Sequence, residues 1–127
     1  MTKNELSKYY YLSKEIEQIQ SKIDEVQSTY ISSSQMDGMP HERKQSSPQE
    51  RMIILIEKYK EKLEQKKSEA VQEMLKIETY LAGIEDIETR MIFNYRYIER
   101  KSWEQIAQIM HMGIATVFRK HREQLKI

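Results

Sequence analysis

The chain has 127 residues, of which 32% are charged and 39% hydrophobic, with three Gly, two Pro and no Cys. This length allows one compact domain, or a small domain joined to an extended element, and excludes two large independent cores. The composition favours long solvated helices over sheets with many turns, so we predict an all-α fold. Without Cys the chain has no disulfide or thiolate chemistry, and we expect a cytoplasmic protein.

Hydropathy argues against a membrane segment. The longest apolar run, MIILI at 52–56, is far shorter than the roughly 20 residues that cross a bilayer. The N-terminal sequence MTKNELSKYY lacks the apolar core of a signal peptide. We therefore expect no membrane partner.

Two apolar repeats with alternating spacings of three and four residues are typical of coiled-coil seams. The first comprises Tyr9, Leu12, Ile16, Ile19, Ile23, Val26 and Tyr30. The second runs through Met52, Ile56, Tyr59 and Leu63, slips at Lys66 and Lys67, and resumes at Ala70, Met74, Ile77 and Leu81. Between them, a stretch with Ser, Pro and Gly predicts a flexible connection at about 32–49.

The two seams predict a helical arm over 1–82. At 1.5 Å per residue its helices would be roughly 40 and 50 Å long, too long to bury both stripes in a monomeric globule. Pairing as an antiparallel hairpin is the favoured interpretation, and self-association through the remaining apolar edge is nearly as well supported. We therefore expect a homo-oligomer, with a dimer favoured, assembled through the N-terminal helices.

A compact module of three helices is predicted over 84–127. Gly83 breaks the second helix, and Asp86 is placed to cap a third. One face of this third helix carries Ile87, Met91, Tyr95 and Ile98. Ser102 caps a fourth helix through the box SWEQ, in which Gln105 can reach back to the cap.

The spacing around Ala107 fits a helix-turn-helix motif. Such a motif needs a small residue where its helices cross, apolar flanks, a tight turn four residues on and a branched apolar anchor about ten residues on. Ala107 is the small residue, and Ile106 and Met110 are its apolar flanks. His111 occupies the turn with Met112 beneath it, and Val117 is the branched anchor. The turn position tends to be left-handed, a conformation that His tolerates at small cost.

The second helix of this motif would start at Gly113 or Ile114 and present one face to solvent. Residues 89–127 hold eight Lys and Arg against three Glu, whereas 1–82 are nearly balanced with 13 against 14 acidic residues. This asymmetry favours a polyanionic partner, and we expect double-stranded DNA to be bound through its major groove. The candidate residues are Ala115, Thr116, Phe118, Arg119, Lys120, Arg122, Lys101 and Trp103.

The chemistry of these side chains suggests their roles. Arg119 has the reach for a bidentate contact to guanine, while Ala115 and Thr116 suit a thymine methyl or a phosphate. Phosphate contacts are expected from Lys101, Lys120 and Arg122.

Two of the candidates carry a second interpretation. Trp103 could lie against the sugar-phosphate backbone, and it could equally be a packed anchor of the module. Lys120 falls where such motifs often have an apolar residue, so its stem can pack while its ammonium reaches solvent.

The run RYIERKSWEQIAQIMHMGIATVFRKHREQLKI resembles the fourth conserved region of bacterial sigma factors, and more closely the ArpU/RinA-like regulators of phages and prophages of Gram-positive bacteria. The match covers 97–125, and a Ser-rich loop with GMP, here at 38–40, is also typical of that group. The resemblance implies an activator of phage late operons, including packaging genes, and a module that can touch RNA polymerase. Gly113 in place of a Ser or Thr cap, and Lys120 in place of an apolar residue, depart from the pattern.

Two other functions stay open at this point. One is a DNA-packaging adaptor resembling a small terminase subunit, in which the arm builds a ring. The other is a coiled-coil adaptor whose basic end binds an acidic partner such as RNA polymerase.

Catalysis has little support in the sequence. The imidazoles are His41, His111 and His121, and their spacing matches no zinc or catalytic motif. The chain also lacks a Gly-rich phosphate loop and a nucleophile elbow. We therefore predict no enzyme activity, no metal site and no cofactor.

Overall fold

The computed structural model describes residues 1–36 and 47–126, with side chains described for 1–29 and 47–126. The described ranges hold five α-helices, which confirms the all-α prediction. They are α1 Lys3–Met36, α2 Pro48–Ala82, α3 Ile87–Phe93, α4 Trp103–Met110 and α5 Ile114–Leu125. A π-helical segment, Asn94–Ile98, extends α3. Within the described ranges, the helices are all too short or too polar to span a bilayer.

The predicted connection at about 32–49 is shorter at both ends in the structure. α1 continues to Met36, since Ser lowers helix propensity only modestly. α2 starts at Pro48 because Ser47 forms a capping box with Glu50, whose backbone N–H donates to Ser47 Oγ over 3.1 Å. Residues 37–46, including the GMP run, lie outside the described residues.

Packing divides the chain into two units. The first unit is Met1–Ser13 with Glu69–Ile127, and the second unit is Lys14–Ser68. The predicted division at Gly83 follows the break in the helix, whereas packing groups the start of α1 and the end of α2 with the C-terminal helices.

In the second unit, α1 and α2 pair within one chain through the predicted seams. The cluster there contains buried Ile19, Ile23 and Leu63, with Ile16, Ile56 and Tyr59 packed against it. At the predicted slip, Lys66 Nζ lies 3.2 Å from Glu15 Oε2. An ion pair therefore replaces an apolar contact at this level.

In the first unit, a basal core joins the start of α1 to the end of α2 and to α3. Its buried members are Leu6, Ile77, Leu81, Ile84, Phe93 and Tyr97. Beside it, Lys8 Nζ lies 3.4 Å from the buried carboxylate of Glu73, which Lys76 approaches to 3.3 Å. These contacts fix the N-terminus of the chain next to its C-terminal helices.

The face predicted for the third helix is divided, because Tyr95 and Ile98 pack against the two cores whereas Ile87 and Met91 are exposed. Ile87 is 61% exposed and Met91 is 39% exposed. The buried residues are instead Ile92, which belongs to the core of the C-terminal helices, and Phe93, which belongs to the basal core. α3 therefore packs against both cores at once, because its adjacent residues Ile92 and Phe93 point into different cores.

Candidate nucleic-acid interface

The start of α4 is fixed by the predicted capping box. The backbone N–H of Gln105 donates to Ser102 Oγ over 3.2 Å, and the backbone N–H of Ser102 donates to Gln105 Oε1 over 2.9 Å. Just before it, Arg100 adopts a left-handed backbone with φ of 60°. The chain thereby turns out of the π-helical segment and into α4.

The turn between α4 and α5 has the predicted geometry. His111 is left-handed, with φ of 54°. The backbone N–H of Met112 donates to the carbonyl of Ala107 over 3.1 Å, which closes α4. Gly113 then serves as the N-cap of α5 without a side-chain hydrogen bond, so α5 begins at Ile114 as expected.

A C-terminal core holds α3, α4 and α5 together. Its centre is formed by Ile92, Ile106 and Val117, each with 0% exposure. Partly buried side chains pack around it, namely Tyr95, Trp103, Ala107, Met110 and Met112. Ala107 thus packs against this core, and Val117 is buried at its centre, as the spacing predicts.

The outward face of α5 carries most of the candidate residues. Ala115, Arg119 and Arg122 are exposed, Phe118 is 40% exposed and Thr116 is half-buried. Arg119 Nη1 lies 3.4 Å from Glu123 Oε2 one turn later. Both partners of this pair are solvent-exposed, so the guanidinium can leave it at little cost in free energy.

Trp103 is a packed anchor in this structure. Its indole makes edge contacts with Phe118, at 5.3 Å between ring centres, and with His121, at 4.8 Å. The Arg96 guanidinium lies 4.5 Å from the centre of the indole ring. A contact between Trp103 and a nucleic-acid backbone stays a prediction.

The two lysine candidates differ in where their charges lie. Lys101 is half-buried, and its Nζ lies 4.0 Å from Glu99. Lys120 packs its stem as expected, with 19% of the side chain exposed, but its ammonium is directed at carboxylates: Nζ lies 3.2 Å from Asp86 and 3.4 Å from Glu88. The hydrogen bond to Asp86 raises the pKa of Lys120. A partner 34 residues away gives no local sequence signal, so this ion pair could not be predicted from the sequence.

Asp86 also caps α3, as predicted. Both the backbone N–H and the hydroxyl of Thr89 donate to its carboxylate, over 3.1 and 2.6 Å. These hydrogen bonds, the hydroxyl one foremost, together with Lys120, lower the pKa of Asp86. The start of α3 is thereby tied to the middle of α5.

His121 and Tyr97 form a buried polar pair. His121 of α5 is 8% exposed and is stacked on Phe93 with 5.0 Å between ring centres. It shares a hydrogen bond with Tyr97. Burial lowers the pKa of His121 to about 4, with smaller contributions from the positive charges of Lys3 and Arg96, and burial raises the pKa of Tyr97 to about 12. Both groups are therefore neutral at physiological pH.

The chain thus has two long helices, α1 and α2, followed by three short helices that share one core. The last two of these, α4 and α5, are joined by a tight turn in a helix-turn-helix arrangement. Among the described residues, no group of three or more His, Asp or Glu side chains is placed to hold a metal ion. The chain belongs to the family described as "Protein of unknown function (DUF1492)", which matches residues 25–127 and is found in phage and prophage proteins. No curated protein and no solved structure matches the chain.

Proposed function

We propose that this chain is a sequence-specific DNA-binding transcriptional regulator of phage or prophage origin, acting in the cytoplasm of a bacterial host. The observation that supports this most is the exposed face of α5, with Arg119 and Arg122, on a helix held from behind by Val117 and His121. A rigid helix with an exposed basic face can be seated in a major groove. The resemblance to ArpU/RinA-like regulators implies activation of late or packaging genes.

In the proposed complex, the first half of α5 reaches base edges. Ala115 and Thr116 lie in the first turn, where small side chains permit close approach and can contact a thymine methyl. Arg119, one turn further on, would exchange Glu123 for O6 and N7 of a guanine. A bidentate contact of this kind discriminates against a wrong base by about 1–3 kcal/mol.

Phosphate contacts would position the helix without reading sequence. The N-terminus of α5 suits one phosphate, because the first N–H groups of a helix have no intrahelical partner and Gly113 adds no capping side chain. Arg122 and Lys101 suit others. Lys120 joins α5 to the start of α3 and does not contact phosphate, since its ion pairs with Asp86 and Glu88 already neutralise its charge.

The proposal includes a homo-oligomer, with a dimer favoured. Two copies of α5 related by a two-fold axis would contact half-sites about 34 Å apart along one side of the duplex, or a multiple of that distance.

The resemblance to the fourth sigma region further implies a contact with RNA polymerase. Retention of purified polymerase on the protein–DNA complex, compared with DNA alone, would test that contact.

The test of function uses the full-length protein and fragments of the genome that encodes it. Fragments retained by the protein are sequenced, and their affinity is measured by gel shift at about 50 and about 200 mM salt. We expect a shared motif, and an affinity that falls steeply with salt because phosphate contacts release counterions. If the protein retains no fragment, or retains all fragments equally, it is not a sequence-specific regulator.

A further inference from the structure

A cleft of about 530 Å³ lies in the first unit, between the start of α1 and the start of α4. Three of its lining residues are cationic, Lys3 from α1 with Arg96 and Arg100 from the segment before α4. Hydroxyl groups of serine and tyrosine complete most of the polar lining. Among the described residues that line the cleft, none is acidic.

The position of at least one of these cations is fixed by the fold. The guanidinium of Arg96 lies over the Trp103 ring, and its Nη1 donates to the carbonyl oxygen of Lys101 over 3.1 Å. Lys3 is exposed at the first turn of α1, which the basal core holds beside the C-terminal helices. Lys3 and Arg96 both contribute to the lowered pKa of the buried His121, as expected where positive charge accumulates.

These groups suit a phosphate better than a neutral ligand. Guanidinium groups bind phosphate oxygens through fixed, planar N–H donors, and the ammonium of Lys3 adds a compact point charge. Ser102, at the N-terminus of α4, places the positive end of that helix at the same cleft. The volume exceeds that of a single phosphate, so the cleft has room for the sugar and the adjoining group as well.

Trp103 connects one residue of the cleft to the face of α5 that the proposed function assigns to DNA. Arg96 in the cleft covers one side of Trp103, and the edge of Trp103 contacts Phe118 on that face. A duplex seated on α5 would therefore run one backbone past the cleft.

We propose that this cleft is a phosphate-binding site which holds the DNA backbone beside the groove occupied by α5, an inference that rests on the proposed function. The first turn of α1, which the sequence assigns only to the helical arm, is then part of the DNA-binding surface. A free nucleotide or inorganic phosphate offers the same chemistry, and the experiment separates the two sources.

The informative variant is Lys3→Glu in the full-length chain. An acidic residue in the first turn is compatible with the helix dipole, so α1 should keep its helicity, which far-UV circular dichroism checks. The matched control is Lys62→Glu, which makes the same charge change at an exposed position of α2 in the second unit. Trp103, the only tryptophan, reports binding through its fluorescence, because Arg96 lies on its ring.

Each protein is titrated with a duplex of arbitrary sequence, about two helical turns long, and separately with inorganic pyrophosphate. We expect Lys3→Glu to bind the duplex about tenfold more weakly than Lys62→Glu. The slope of log affinity against log salt concentration should also become shallower by about one, the value for one lost phosphate contact. Alternatively, Lys3→Glu alone could abolish tight pyrophosphate binding and leave the duplex affinity unchanged. That result would support a phosphate site whose ligand is a free phosphate compound.

Equal behaviour of the two variants in both titrations would overturn the proposal. The outcome also separates this inference from the proposed function. Duplex binding that is equal in both variants refutes the role of the cleft in holding the DNA backbone and leaves the regulator intact. Pyrophosphate binding that depends on Lys3, in a chain that binds no duplex, supports the cleft and refutes the regulator.

Discussion

Tyr97 Oη lies 2.5 Å from His121 Nε2, and this hydrogen bond joins the π-helical segment to the middle of α5. Tyr97 belongs to the basal core, which also contains the start of α1. One turn earlier on α5, Val117 belongs to the C-terminal core. α5 is therefore attached at two successive turns to two different cores, once by a polar contact and once by an apolar one.

The stability of the fold should fall as the pH drops from about 6.5 towards 4. The pKa of His121 is about 4 in the folded chain and about 6.5 in the unfolded chain, so the unfolded chain takes up the proton first. Between about pH 7.5 and about pH 5 this difference lowers the free energy of unfolding by about 2 kcal/mol. Below pH 4 both states are protonated and this contribution stays constant. Urea unfolding at the two pH values measures it.

The control for this prediction is His121→Gln, which keeps a hydrogen-bonding partner for Tyr97 and removes the imidazole. Its free energy of unfolding should lose less between the two pH values than that of the unmodified chain. If both proteins lose the same amount, another group is responsible for the pH dependence.

Ala107→Glu should destabilise the C-terminal helices. Ala107 packs against the core of Ile92, Ile106 and Val117, where a carboxylate would lose part of its hydration without gaining a partner. We expect a cost of about 1–3 kcal/mol, measured by urea unfolding, together with weaker DNA binding. Gln108→Glu, at the next and exposed position, is the control. Equal stability of the two variants would place the helix crossing elsewhere.

Lys120→Met tests whether Lys120 stabilises the fold through its ion pairs or contacts a phosphate of the DNA. Methionine keeps the apolar stem and removes the ammonium that pairs with Asp86 and Glu88. We expect a lower melting temperature, with a difference that shrinks at high salt, and a smaller loss of DNA affinity than in Arg122→Ala. An unchanged melting temperature with a loss of affinity as large as that of Arg122→Ala would restore the phosphate role expected from sequence.

The sequence predicted well those features that neighbouring residues determine. The caps at Asp86 and Ser102 and the left-handed turn at His111 depend on groups within four residues of one another. The anchor at Val117 follows from helix geometry once the turn is placed. These signals are steric and local, so no knowledge of the rest of the chain is needed.

The features that the sequence did not predict depend on tertiary packing. Lys120 finds its carboxylates, Asp86 and Glu88, 34 and 32 residues earlier at the start of α3. Lys3 shares a cleft with residues near position 100. The π-helical segment after α3 was not predicted either, because a single extra residue in a turn leaves no periodic trace in the sequence. The apolar spacing of this helix does not reveal that Ile87 and Met91 are exposed while Ile92 and Phe93 are buried.

The native mass should correspond to two copies of the 15.3 kDa chain. Ile53, Ile54 and Leu55 of the second unit are 41–50% exposed and offer an apolar edge for pairing. Ile54→Lys should therefore shift the protein towards the monomer in light scattering, while Gln65→Lys, at an exposed polar position of the same helix, should not. A ring of about eight or more copies would favour the packaging adaptor, and a monomeric unmodified chain would contradict the dimer.

The central claim is that α5 distinguishes base sequences, and the most direct test is the ratio of affinities for a selected genomic site and for its scrambled counterpart. At constant salt we expect the unmodified chain to prefer its site by at least about a thousandfold. Arg119→Ala should reduce that ratio by about tenfold or more, because a guanine contact is lost, whereas Lys101→Ala should weaken both complexes alike. Equal affinity of the unmodified chain for both duplexes, or equal sequence-blind losses in the two variants, would contradict the account.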